Sequence, residues 1–172
     1  LKTKDLNDVR IVESYDLEDT LRSEYREKGV NEVLIITRTN KLANRINQYV
    51  RTAILEKENQ IDIGETIMSV KNNYFWTEKA ALSDFIANGD IARLKRIRRF
   101  EELYGFRYAN AVLEFGDYDD TEIECKILLD TIDSEAPSLT YEQSQKLFYE
   151  VEKDYVDIKS KIKRFKEIRE NE

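Results

Sequence analysis

Three groups of residues in this sequence could do chemistry. The first is Arg38-Thr39-Asn40, which follows the apolar run Val33-Leu34-Ile35-Ile36 and precedes a helical pattern. An arginine at the end of a buried strand, with a hydroxyl and an amide to cap the next helix, can reach toward a nucleotide phosphate, where open α/β sheets bind their ligands. Plain helix capping beside an exposed arginine accounts for the same residues. No glycine here lets the backbone wrap a phosphate, and no Gly-Lys-Ser/Thr follows anywhere, so at most half of a nucleotide site is present.

The second group is "IARLKRIRR", residues 91–99, with five positive charges at Arg93, Lys95, Arg96, Arg98 and Arg99 and no negative one. Upstream lies "NNYFW", with Tyr74 and Trp76. Single-strand binders join a positive groove to aromatic platforms, and stacking on a base contributes on the order of 1–3 kcal/mol. The competing account is a solvated strand edge protected by charge, with Tyr74, Phe75 and Trp76 as core or interface anchors. The third group, Asp117 with Glu124-Cys125-Lys126, imitates the D…ExK arrangement of metal-dependent nucleases, in which carboxylates hold Mg²⁺ and lysine steadies the nucleophile. Alternating strand residues in a chain with 35 acids produce that pattern by chance, and the αβ setting such nucleases need is missing around it. Cleavage lost on Glu124→Ala would be required to give it a role.

Composition narrows the chemistry further. The chain has no histidine and a single cysteine, Cys125, which removes Ser-His and Cys-His pairs, an internal disulfide and a cysteine zinc site. Catalysis would have to rest on carboxylates, Lys, Arg or Tyr. Of 172 residues, 41% are hydrophobic, with 10 Tyr and 7 Phe, enough for one ordinary domain or two small ones. The net charge of -7 opposes whole-surface attraction to nucleic acid, but the basic run keeps local binding open. No apolar run approaches a membrane span of roughly 20 residues and the start does not read as a signal peptide, so the expectation is a soluble, cytoplasmic chain without a membrane partner.

The elements that must position these groups change character along the chain. Residues 9–16 suit a short strand. Asp16 stands where an N-cap would, Leu17, Leu21 and Tyr25 follow at helical spacing, and Gly29 closes the segment. Residues 33–37 read as a second strand, and Asn40 can cap a helix with an apolar stripe through Leu42, Ala43, Ile46, Tyr49, Val50 and Ile54. Strand, helix, strand, helix implies a parallel αβ layer, too small to be a complete doubly wound domain. After Glu56 come turn signals at Gly64, Asn88-Gly89 and "GDYDD" (116–120), with alternation at Ala111, Leu113 and Phe115, then Ile123, Cys125, Ile127 and Leu129. That reads as a small antiparallel barrel of the SH3 or OB kind. Beyond Pro137 a long helix is expected, with Thr140 and Gln143 at capping-box spacing and a stripe of Leu147, Val151, Tyr155, Ile158, Ile162 and Phe165. The class is therefore α+β, divided at 1–57, 58–135 and 136–172.

The segments "VNEVLIITRTNKLANRINQYVR", "GETIMSVKNNYFW", "FIANGDIARL", "YGFRYANAVLEF" and "IECKILLDTIDSEAPSLTYEQSQKLFYEVEKDY" together resemble the superfamily 1 DNA helicases of the RecD, or exonuclease V alpha subunit, type, over roughly residues 9 to 160. The resemblance implies that residues 1–57 begin the second RecA-like motor domain, that 58–135 is its β-barrel insertion and that 136–172 returns toward the motor. It makes Arg38, Thr39 and Asn40 half of an interdomain nucleotide site and gives the barrel a role in contacting single-stranded DNA. In the whole parent, ATP and Mg²⁺ would be bound across the interface with the missing motor domain. This chain lacks the P-loop, the acidic Mg²⁺ motif and the later arginine motif. The fragment is expected to bind no cofactor and to hydrolyse no ATP by itself. The alternative is a non-enzymatic protein-interaction module.

Overall fold

The computed structural model describes residues 8–74, 85–132, 134, 138–160, 162–164 and 167. The chain divides into two compact units, Leu1–Glu58 and Asn59–Glu172.

In the first unit, α1 (Leu17–Lys28) begins where the sequence places it, with Asp16 at the N-cap position, although its side chain makes no capping bond. Gly29, at φ +87°, ends it and donates its N–H to the Tyr25 carbonyl. Helix α2 (Asn40–Tyr49) runs into a wider π turn, Val50–Ile54. Tyr49 hydrogen-bonds to Glu18, tying α2 to α1; that bond first, then Arg22, lowers the Glu18 carboxyl, and the same bond raises the tyrosine. The expected parallel layer is not formed among the described residues. Residues 9–13 are irregular, and residues 33–37 are extended without a ladder partner. A strand needs a neighbour to be a sheet, and none is offered. Leu34 and Ile36 are consequently 85% and 87% exposed, and Val50 is the only buried residue among those described in this unit.

The second unit is α+β. Four antiparallel strands, β1 (Thr66–Met68), β2 (Ile91–Leu103), β3 (Phe106–Phe115) and β4 (Thr121–Leu128), form a curled half-barrel in the order β1-β2-β3-β4. Among the described residues it is an open meander, not the closed SH3 or OB barrel that the sequence suggests. Its inner face holds Ala92, Leu94, Ala109, Ala111, Leu113, Phe115, Ile123 and Cys125, closed over by Ile61, Ile86 and Leu129. Strands β2 and β3 meet in a two-residue hairpin, with Tyr104 at φ 56° and Gly105 at φ 73°, the double left-handed geometry that matches strand twist.

Strand β2 departs from simple alternation. Arg93 and Leu94 pair with Glu114 and Leu113, but Arg96 pairs with Val112, Ile97 with Ala111, and Arg99 with Asn110. One residue is gained at Lys95 and another at Arg98. Each bulge flips the facing of the residues after it. By register Leu94, Ile97 and Phe100 therefore stand opposite the inner residues Leu113, Ala111 and Ala109, at every third position. Leu94 is buried and Ile97 packs against the core, while Phe100 remains 59% exposed.

The C-terminal helix is shorter than the sequence suggests. Helix α3 (Tyr141–Glu152) begins with the expected capping box of Thr140 and Gln143. It tightens into a 3-10 turn at Lys153–Tyr155 and then breaks, with only residues 162–164 and 167 helical among those described beyond it. Among the described residues Val151 is the last buried position of the stripe, and Ile162 is 84% exposed. Without a face to bury, further helix gains little. Arg164 instead turns back, donating to the Ile158 carbonyl at 3.0 Å and pairing with Glu152 at 3.0 Å. Phe165 lies outside the described residues. Among the described residues, no helix is long and apolar enough to cross a membrane.

Candidate nucleic-acid interface

Arg38, Thr39 and Asn40 stand at the start of α2. Thr39, not Asn40, is the cap: its backbone is extended and its hydroxyl accepts from the Leu42 N–H at 3.2 Å. The Thr37 hydroxyl donates to the Thr39 carbonyl at 3.1 Å, fixing the turn. Asn40 is the first helical residue. Arg38 is exposed and has no hydrogen-bond or ion-pair partner among the described residues. The hydroxyl already satisfies one of the first-turn donors, so what this corner offers an anion is the Arg38 guanidinium and the remaining N–H groups.

The two bulges decide where the basic run goes. In an unbulged strand Arg96 and Arg98 would share a face with Leu94, pointing into the core. The bulges instead gather Lys95, Arg96, Arg98 and Arg99 on the outer face. There they meet carboxylates that sequence pattern alone does not connect to them. Lys95 pairs with Glu114 of β3 at 2.6 Å. Arg96 reaches over β3 to Glu122 of β4 at 2.7 Å. Arg98 makes a two-pronged fork with Glu124, also of β4, at 2.8 and 2.9 Å. Arg99 pairs with Glu101 at 3.2 Å, and Lys126 approaches the same carboxylate at 3.1 Å. The neighbouring Asn110 amide, and then the Lys126 ammonium, lower the Glu101 carboxyl from its ordinary value. Arg93 alone of the five has no such partner among the described residues. Alternating Glu122 and Glu124 between Ile123 and Cys125 is the available signal, but it does not say which cations lie opposite.

The cations remain open to solvent: the side chains of Arg96, Arg98 and Arg99 are 62%, 56% and 69% exposed. Beyond β1, residues 95–103 also have no ladder partner on the side away from β3 among the described residues. Charges and bulges on such an edge discourage strand addition, so the same residues protect the fold.

Tyr74 lies beside the bridge of Asn73 to Ile86, 60% exposed, with its ring 4.9 Å from that of Phe85. Trp76 and Phe75 lie outside the described residues. The nuclease-like trio does not converge. Asp117 sits in the turn beyond β3, Glu124 is held by Arg98, and Lys126 by Glu101. Among the described residues no three His, Cys, Asp or Glu side chains could share a metal ion. Cys125 faces the core, where burial, and secondarily Glu124, pushes its thiol up to about 12. It is a protonated packing group and no nucleophile.

Set against family models, curated proteins and solved structures, the chain matches none.

Proposed function

We propose that the chain is a piece of a superfamily 1 DNA helicase of the RecD type, in which the half-barrel contacts single-stranded DNA and the α2 corner supplies half of an interdomain nucleotide site. The observation that carries the DNA contact is the outward row of Arg96, Arg98 and Arg99, each more than half exposed along one bulged strand. Lys95 and Arg93 extend the row, and Tyr74 and Trp76 are the candidate stacking platforms. Residues 33–37 support the motor reading: an apolar extended segment without a ladder partner among the described residues, running into a capped helix at Arg38, has the form of one edge of a larger RecA-like layer. ATP and Mg²⁺ would be held between this corner and the missing motor domain, and the parent would move 5′ to 3′ in the cytoplasm. The fragment alone carries no phosphate cradle and hydrolyses nothing.

The test is fluorescence anisotropy of labelled single-stranded and duplex DNA at two salt concentrations. Salt-sensitive preference for the single strand, lost on changing Arg96, Arg98 and Arg99 to Glu, is the expected result. Absence of binding at low salt removes the DNA reading. A second reading, a protein-interaction module, is favoured by the pairing of four of the five cations with glutamates and by the exposure of Leu34 and Ile36. Capture of a helix or peptide without DNA affinity would select it.

A further inference from the structure

Resting on the reading of this face as a single-strand contact, we infer that Glu122 and Glu124 are resident competitors for the DNA phosphates and set how strongly the face binds. The two glutamates stand on β4, and their cations Arg96 and Arg98 on β2, so each pair spans the intervening strand β3. The carboxylates occupy the hydrogen-bonding edges that a guanidinium would present to phosphate. Arg98 is engaged through both Nε and Nη2, the fork geometry that suits a carboxylate or a phosphate equally.

A phosphate arriving at Arg96 or Arg98 must displace a carboxylate or share the cation with it. Both glutamates are themselves exposed, at 42% and 59%, so a displaced carboxylate stays on the face and repels the incoming backbone. Exposed ion pairs are weak enough to open, so the face is attenuated without being blocked. A ligand with several linked phosphates can open both pairs together, whereas an isolated phosphate gains from only one exchange. The face therefore selects extended polyanions over single phosphates.

The experiment uses the full chain and a labelled oligothymidylate strand. Glu122→Gln with Glu124→Gln keeps side-chain length and an acceptor oxygen for each arginine while removing both charges. Glu13→Gln with Glu142→Gln makes the same change in net charge at exposed positions outside the four strands. Relative to both wild type and this control, the face variant should bind about tenfold tighter at low salt, because neither arginine is any longer neutralised by a carboxylate. Its log-affinity against log-salt slope should steepen by about 1.4, the value for two further phosphate contacts on a single strand. Equal binding by the face variant and the control overturns the inference and leaves the single-strand reading standing. If wild type and both variants all fail to bind, the single-strand reading falls and the inference falls with it.

Discussion

Arg98 and Glu124 form a two-pronged ion pair although they stand on strands that are not neighbours, β2 and β4, with β3 between them. The bulge at Lys95 makes this possible by flipping the residues after it, so that Arg96 and Arg98 leave the core face and meet the glutamates of β4 on the outer one. Beneath this crossing and the one from Arg96 to Glu122 lies Val112, which register aligns with Arg96 and Glu124. It is 3% exposed although it belongs to no part of the inner core. The side chains that cross above it, from Arg96 to Glu122 and from Arg98 to Glu124, carry aliphatic stems long enough to exclude water from it.

Val112→Ala should therefore behave as a core truncation at a position that alternation assigns to solvent. The expected loss is about 1–2 kcal/mol. Urea unfolding followed by tyrosine fluorescence checks it: the midpoint should fall while the slope is unchanged. A change below a few tenths of a kcal/mol would mean that the charged stems do not exclude water.

The hairpin carries a second stability prediction. Gly105 has φ +73°, and an added Cβ would lie 3.4 Å from Lys146 Nζ, on the helix packed against the turn. Gly105→Ala should cost about 1 kcal/mol or more, from the left-handed backbone. Tyr104→Phe probes a different link, the 2.6 Å hydrogen bond from the Tyr104 hydroxyl to Asp154. Amide exchange should quicken in α3 for Tyr104→Phe while β3 and β4 stay protected.

Local features are the legible ones in this sequence. Gly29, the Thr140–Gln143 box and the turn at 116–120 act within a few residues, and each is found where its chemistry requires it. The segment "LKRIRRF" reads as a run of charge, although its apolar residues recur at every third position, a period belonging to neither a helix nor a plain strand. Two bulges are the physical meaning of that period. The hairpin escapes a reading by turn residues because tyrosine at positive φ is no ordinary turn signal. The glutamates opposite the basic run cannot be assigned from sequence because register between distant strands is set by the whole sheet. Residues 33–37 show the opposite limit: strand tendency is visible, but a ladder needs a second strand.

Acid should reveal Glu101. Its carboxyl is lowered by Asn110 and then Lys126, so the folded state binds its proton less readily than the unfolded chain. The stability it contributes is present above the ordinary glutamate pKa and is lost as pH falls through the lower folded value. Glu101→Gln should flatten that part of the stability-against-pH curve and leave neutral and alkaline behaviour nearly parallel to wild type. An unchanged acid limb would assign the effect to other carboxylates.

Cys125 gives the alkaline counterpart. Its thiol is raised to about 12 by burial, so the folded protein keeps a proton that the unfolded chain releases near pH 9. Its contribution is full below that unfolded value and declines as pH rises toward 12. At pH 8, iodoacetamide should label the native chain far more slowly than the urea-unfolded chain, and mild denaturant should accelerate labelling in step with unfolding. Rapid native labelling would contradict the closed inner face.

Leu34 and Ile36 test the extended segment 33–37. Both point outward on an extended segment that has no ladder partner among the described residues, so neither supports the fold of the isolated chain. Replacing both with Lys should change urea stability by no more than about 0.5 kcal/mol, the range for surface positions. The same change should abolish any association through this strand, because two charges would enter a face that is apolar on both sides only if a second layer covers it. Sedimentation velocity of wild type and variant over a concentration series reads this directly. Retained stability with lost association would identify the strand as an unfilled edge. A large loss of stability would mean that the segment already packs within its own unit.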